Sequence, residues 1–155
     1  MLVMQELHAV KGLDPVADAF DGTVYSDVVN MEGHHNCLFT IHCGVGVTGT
    51  STFTVQACDD VVPTTRSAIP FHYRETITGD TPGAVTAAAA AGFVSTAGSS
   101  KIIEIEIESN ALAASGYGYV QLKAVESANS PVLGGILIQL FNPRYAKNIA
   151  DSAIV

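Results

Sequence analysis

The sequence predicts an all-β fold, an antiparallel two-sheet β-sandwich of about eight strands. Apolar and polar residues alternate with a period of two in one segment after another, which is typical of strands that bury one face. Clusters of Gly, Pro, Asp, Asn and Ser separate these segments, as they do in sandwiches and barrels. The 155 residues suit a single domain.

The clearest strand is the run in which Ile103, Ile105 and Ile107 alternate with Glu104 and Glu106. Glu is a poor strand former, so burial of the Ile face must hold this segment extended. The Ala-rich run 87–91 is too short to nucleate a helix and is expected to be a loop or one helical turn. The predicted strands are Val24 to Met31, Leu38 to Cys43, Thr52 to Cys58, Ile69 to Ile77, Gly92 to Ala97, Ile103 to Glu108, Tyr119 to Glu126 and Leu133 to Phe141.

The two ends of the chain lack this period. We therefore predict an N-terminal arm over residues 1–22, a β-sandwich domain over 23–142 and a C-terminal tail over 143–155. Apolar residues at both ends are unfavourable in water, so the ends either fold back or extend onto a neighbouring subunit, and we favour at least one arm. Deletion of 1–22 is then expected to abolish partner binding and to leave the fold intact. The expected partner contacts are Leu2, Val3, Met4, Leu7, Arg144, Tyr145, Ile154 and Val155.

The composition favours a subunit that is covered by neighbours. Charged residues make up 14% of the chain, against about a quarter in typical domains, although a neutral secreted or thermally robust domain has the same composition. The net charge of −8 and seven Lys+Arg argue against nucleic-acid binding. No apolar run reaches the ~18 residues of a membrane span. No signal peptide is evident, so we expect synthesis in a cytoplasm.

The run Gly44 to Gly49 spells G-x-G-x-x-G. That motif cradles a pyrophosphate only when a helix follows the glycines, and here a strand follows. We therefore interpret the run as a flexible hairpin connection whose glycines adopt positive φ. Neither a G-x-S-x-G nucleophile motif nor a recognisable acid/base pair is present, so we expect no enzyme and no cofactor. Tyr117 and Tyr119 are a candidate platform for stacking a sugar.

A zinc site is the other chemical hypothesis. An extended chain would place His35, Cys37 and Cys43 on one face, but the second ligand pair would have to come from the isolated Cys58 and His72. We favour a strand edge whose histidines face solvent or a subunit contact. The odd number of cysteines excludes a full disulfide framework, and buried free thiols are favoured over one bridge plus a thiol. The residues considered as ligands are His34, His35, Cys37, His42 and Cys43.

The order of the segments resembles capsid decoration (cement) proteins of tailed double-stranded DNA bacteriophages. The likeness covers Thr23 to Tyr145 and is a pattern of strands and turns. It is carried by 23–31, a Phe39-centred strand, the turn 44–50, 54–57, 69–74, 103–106, 119–123, 129–132 and 144–145.

The resemblance implies a jelly-roll-like sandwich, often a trimer, that binds the outer surface of an expanded capsid and links adjacent capsomers. It also implies that terminal arms reach over neighbouring major capsid proteins. We therefore expect a structural virion protein on the capsid exterior, made in the host cytoplasm. A carbohydrate- or receptor-binding module of a phage tail or baseplate is the alternative. A cupin-like metalloenzyme is a third hypothesis, which the position of His34 and His35 near a strand start matches poorly.

Overall fold

The structure is a computed structural model that describes residues 3–77 and 80–145. These residues form twelve strands, one short α-helix and a 3-10 helix at Val3–Gln5. No helix among them is long and apolar enough to cross a membrane. The elements are β1 (His8–Val16), β2 (Thr23–Tyr25), β3 (Val29–Asn30), β4 (His34–Cys43), β5 (Thr50–Cys58), β6 (Arg66–Ile69), β7 (Phe71–Thr76), β8 (Thr86–Ala88), β9 (Phe93–Val94), β10 (Lys101–Glu108), α1 (Ser109–Ala113), β11 (Tyr119–Ala128) and β12 (Gly134–Pro143).

The strands pair antiparallel in two sheets. Sheet A has the order β1-β12-β4-β10-β7-β8, and sheet B has the order β2-β11-β5-β6, with β3 also on β11 and β9 also on β5. β1 lies beside β12 and β2 beside β11, while β4 pairs with β10 and β5 with β6. This strand order is that of a jelly roll. The segment β7 to β9 is an insertion that widens both sheets. The predicted antiparallel two-sheet β-sandwich is confirmed.

The core lies between the sheets and follows the period of two. In sheet A, Ile138 lies opposite Phe39, and Phe39 lies opposite Ile105, so three large side chains form one buried row across three strands. Val55 and Leu122 form the facing row of sheet B. Each of these side chains stabilises the fold by about 1.5–3 kcal/mol through burial, which outweighs the poor strand propensity of the glutamates in β10.

Aromatic rings close the edge of the sandwich where the inserted strands lie. The rings of Tyr73 and Phe93 stack with centroids 3.6 Å apart, and Phe93 also packs against Phe53 and Phe71. The predicted strand 69–77 is wrong as a single element. Pro70 lacks a backbone N–H for the ladder, and the chain passes there from β6 in sheet B to β7 in sheet A.

The predicted N-terminal arm is wrong over most of its length. β1 pairs with β12 from His8 to Val16, and Val10 and Phe20 are buried in the core. The register of the pairing shifts between Lys11 and Val16. Because of these irregularities, the residues that face the core in β1 do not recur at every second position of the sequence. The sandwich therefore begins at His8, and a deletion of residues 1–22 would remove an edge strand and core side chains.

Smaller differences concern the strand count and the short segments. The expected loop or turn at 87–91 contains part of β8, and the predicted first strand is divided into β2 and β3. The connection between β10 and β11 includes α1. β12 extends to Pro143, after which the N–H of Arg144 donates to the carbonyl of Gly33. Of the predicted C-terminal tail, residues 146–155 lie outside the described residues.

Truncation of a side chain in the buried row should lower the free energy of unfolding much more than truncation of a side chain on the outer face of β10. Ile105→Ala removes a fully buried side chain, so we expect the free energy of unfolding to fall by about 2–5 kcal/mol. Ile102→Ala, in the same strand on the outer face, should lower it by about 1 kcal/mol or less. Urea unfolding of both variants checks this, and equal losses would contradict the assignment of faces.

Candidate protein-binding surface

An open groove of about 490 Å³ lies on the outer face of sheet A, near the end where β4 finishes and β12 begins. Its walls are mostly aliphatic, and Lys11, Asp14, Thr40 and His42 stand around them. We call it the apolar groove, and its apolar lining is Leu13, Pro15, Ile102, Leu133, Ile136 and Leu137.

The two glycines at the start of β12 form part of the lining of the groove. Gly135 faces outward between its strand neighbours, and a Cβ there would lie 3.0 Å from the carbonyl oxygen of Leu13 and from Cγ of Pro15. The irregular end of β1 therefore packs directly on bare backbone. Ile102 and Leu137 rise on either side because Ile103 and Ile136 point into the core.

The apolar groove continues into exposed aliphatic side chains. Leu133 and Leu137 are each 42% exposed and Ile102 is 38% exposed. In the neighbouring connection between β4 and β5, Val45 and Val47 are 73% and 75% exposed. Exposed apolar side chains in and beside a groove with a polar rim are typical of a site that binds another macromolecule.

The glycine-rich connection is anchored against this patch. The N–H of Gly44 donates to the carbonyl of Leu133 over 2.7 Å, and the N–H of Leu133 donates to the carbonyl of Val45 over 2.9 Å. The glycines are needed for close approach, since a Cβ on Gly49 would lie 2.4 Å from the carbonyl oxygen of Ser130. The predicted role was wrong in two respects: Gly44, Gly46 and Gly49 do not have positive φ, and the run joins two different sheets.

The acidic row of β10 lies on the same outer face, beyond the apolar groove. Glu104 is paired with Arg74, which raises the pKa of that guanidinium, and Nδ2 of Asn36 donates to Oε1 of Glu106 over 3.0 Å. Of the three glutamates of β10, Glu108 is the exposed one. Neighbouring side chains fix the other two carboxylates.

The predicted contact residues lie at the opposite end of β12 from the apolar groove. Val3, Met4 and Tyr145 are exposed there, and Leu7 is half-buried. They share this end because His8 of β1 lies opposite Leu140 near the end of β12. The side chain of Arg144 donates from Nε to the carbonyl of His34 over 3.5 Å. Leu2, Ile154 and Val155 lie outside the described residues.

The histidines are placed differently from the prediction. His34 is 2% exposed, while His35 and His42 are exposed, so His35 does not share a face with Cys37 and Cys43. The period breaks because Asn142, next to the partner of His34 in β12, has a positive φ of 54°. Within residues 3–77 and 80–145, no cluster of three or more His, Cys, Asp or Glu side chains is arranged to hold a metal ion.

The three cysteines are unpaired and buried, as favoured from the sequence. Burial raises the pKa of the Cys58 thiol to about 11 and also raises the pKa values of Cys37 and Cys43. Thiols held in the protonated form are poor nucleophiles and poor metal ligands. They act here as small core side chains.

No protein-family model matches the chain, and no curated protein or solved structure matches it significantly.

The residues of the apolar groove were not predicted from the sequence, although the sequence contains a pattern that indicates them. Ile102 directly precedes Ile103, and two consecutive isoleucines in an alternating strand place one of them outside. Leu137 similarly stands out of phase with Ile136 and Ile138. The contribution of Leu13 could not be predicted, because it depends on the irregular pairing of β1.

His34 makes the stability of the protein dependent on pH. Burial, and secondarily the nearby His8, lowers its pKa, and its Nε2 has no hydrogen-bond partner among residues 3–77 and 80–145. The unfolded chain, with a His pKa near 6.5, then binds more protons than the folded chain below that pH. Stability is fully present above about pH 6.5 and falls as the pH drops through the unfolded and then the folded pKa.

We therefore expect the free energy of unfolding of the wild-type chain to be lower at pH 5 than at pH 7.5. His34→Leu should reduce this difference, because it removes the buried titrating group. His35→Leu, the same change at an exposed neighbour, should retain it. Urea unfolding at both pH values measures the difference, and an unchanged difference in His34→Leu would contradict the assignment.

Proposed function

We propose that this chain is a structural virion protein, a capsid decoration protein that binds the outer surface of a bacteriophage capsid and stabilises contacts between capsomers. The observation that carries the proposal is the apolar groove with its continuation to Val45 and Val47. The partner would be the major capsid protein, and the protein would act after synthesis in the host cytoplasm.

The size of the apolar patch indicates how such binding would work. Covering the exposed part of a side chain such as Leu137 contributes about 1–2 kcal/mol. The five exposed aliphatic side chains of the patch together contribute on the order of 5–10 kcal/mol, which is similar to the unfavourable free energy of association. One copy would therefore bind weakly through this patch, and firm binding needs additional contacts or several linked copies.

Further contacts are available at the other end of the molecule. Val3, Met4 and Tyr145 are exposed there, about 20 Å from the apolar groove along β12 at ~3.3 Å per residue. A domain with exposed apolar side chains at both ends is suited to bind two neighbouring capsomers across the boundary between them. A protein that binds only the assembled lattice stabilises that lattice by mass action, and a homotrimer would multiply modest single-site affinities.

The composition and the fold agree with this proposal. A surface with few charges is suited to extensive contact with other subunits, and the jelly roll is the fold implied by the resemblance to decoration proteins. The alternative of a carbohydrate-binding module has weaker support. Tyr117 packs against the core and Tyr119 is partly buried within β11, so they do not form a free stacking platform.

Cosedimentation with expanded, DNA-free capsids tests the proposal, and the number of bound copies per lattice position should be stoichiometric. The double variant Ile102→Ser, Leu137→Ser should bind at least about tenfold more weakly, since truncated anchor residues at an interface typically lower affinity by that order or more. Its thermal unfolding and circular dichroism should stay close to those of the wild-type chain.

Val62→Ser is the control, because Val62 is also an exposed aliphatic residue, more exposed than Ile102 and Leu137, but lies in the connection between β5 and β6. It should bind as the wild-type chain does. A wild-type chain that stays in the supernatant would contradict the decoration function. Equal binding by the double variant would contradict the role of the apolar groove.

A further inference from the structure

The outer face of sheet B, opposite to the apolar groove, carries two cations around one exposed aromatic ring. The guanidinium carbon of Arg66 lies 5.3 Å from the centroid of the Tyr25 ring, and Nζ of Lys123 lies 5.9 Å from the same centroid. Tyr25 of β2 is directly opposite Lys123 of β11 in the sheet. We call these three residues the Tyr25 cluster.

These two cations differ from the paired cations of the chain. Lys11 is paired with Asp14, Arg74 with Glu104, and Nζ of Lys101 lies 4.0 Å from Oε1 of Glu75. Among residues 3–77 and 80–145, neither Arg66 nor Lys123 forms an ion pair. A chain with twice as many acids as bases thus leaves two adjacent positive charges without a carboxylate partner.

Two acidic side chains in or beside the strands of sheet B make contacts elsewhere. Both carboxylate oxygens of Asp59, which adjoins β5, accept hydrogen bonds from Thr64, and Oδ1 also accepts one from the N–H of Thr65. These hydrogen bonds lower the pKa of Asp59, and they join its carboxylate to residues of its own turn. Glu126 of β11 faces the N–H of Gly22 over 3.4 Å. Asp27 lines a pocket beside Tyr25, but among the described residues it forms no ion pair with Arg66 or Lys123.

A buried side chain sets the orientation of Arg66. Nε of Arg66 donates to Oε1 of Gln121 over 3.2 Å, and Nε2 of Gln121 donates to the carbonyl of Ser26 over 2.7 Å. Gln121 is buried, so it holds Arg66 in a fixed position. The two terminal nitrogens of the exposed Arg66 guanidinium form no hydrogen bond with the described residues. Two such parallel donors match the geometry of a carboxylate.

We propose that the Tyr25 cluster binds an acidic segment of a partner protein, with carboxylates at alternate positions of an extended chain. Two carboxylates two residues apart on a strand are separated by about 7 Å. That spacing suits two cations held on one ring, whereas a sugar acid offers a single carboxylate. This inference rests on the proposed function only for the identity of the partner, since the acidic chemistry follows from the cluster itself.

Fluorescence anisotropy with a short labelled peptide carrying glutamate at alternate positions tests the inference on the full-length chain. We expect saturable binding that weakens as salt is added, and no binding of the same peptide with glutamine in place of glutamate. Arg66→Gln, Lys123→Gln should lower the affinity at least about tenfold. Arg66→Lys, which keeps the charge and loses the planar donor pair, should lower it by a smaller factor.

Arg74→Gln is the charge control, because it removes a positive charge on sheet A, away from the Tyr25 cluster, and it should bind the peptide as the wild-type chain does. Thermal unfolding confirms that each variant is folded. Equal loss in Arg74→Gln, equal binding of the glutamine peptide, or specific competition by N-acetylneuraminic acid or inorganic phosphate at the peptide's concentration would overturn the inference. The peptide assay needs no capsid, so its result is independent of the cosedimentation result.

Discussion

The burial of one side of the three adjacent strands β12, β4 and β10 is the constraint on which the rest of the structure depends. β4 pairs with a full-length strand on each side, and the row Ile138, Phe39 and Ile105 crosses all three. None of these side chains is exposed. A shift of one residue in any of the three strands would move its apolar set into solvent, so burial fixes the register of sheet A.

Both the apolar groove and the acidic row follow from that register. Once Ile103, Ile136 and Ile138 are buried, Ile102 and Leu137 must stand on the outer face, as must the glutamates of β10. The glycine at 135 then lets the end of β1, at Leu13 and Pro15, pack against the backbone of β12 beside them. The outward apolar residues are thus forced into position by core packing, and their presence in the sequence needs a reason other than stability.

Residue periodicity predicted the parts of the fold in which pairing is regular. Ile103 to Glu108 was recognised because every second side chain is buried along an uninterrupted ladder. β1 was missed because its bulges and Pro15 shift the side chains from one face to the other. His34 was misplaced for a similar reason at the other end of the sheet, where the left-handed Asn142 interrupts the alternation. The groove and the Tyr25 cluster join residues distant in sequence, and only the strand order brings them together.

The positions of the two proposed surfaces constrain any complex that uses both. The apolar groove opens from the outer face of sheet A and the Tyr25 cluster from the outer face of sheet B. Both surfaces nevertheless reach the edge of the sandwich formed by β1 and β2, because Lys11, Leu13 and Asp14 line the apolar groove and also a pocket that contains Tyr25. The N–H of Asp27, two residues beyond Tyr25, donates to the carbonyl of Gly12 in β1 and fixes this edge. In the proposed complex, a partner chain that extends from the apolar groove around this edge would therefore lie close to the Tyr25 cluster.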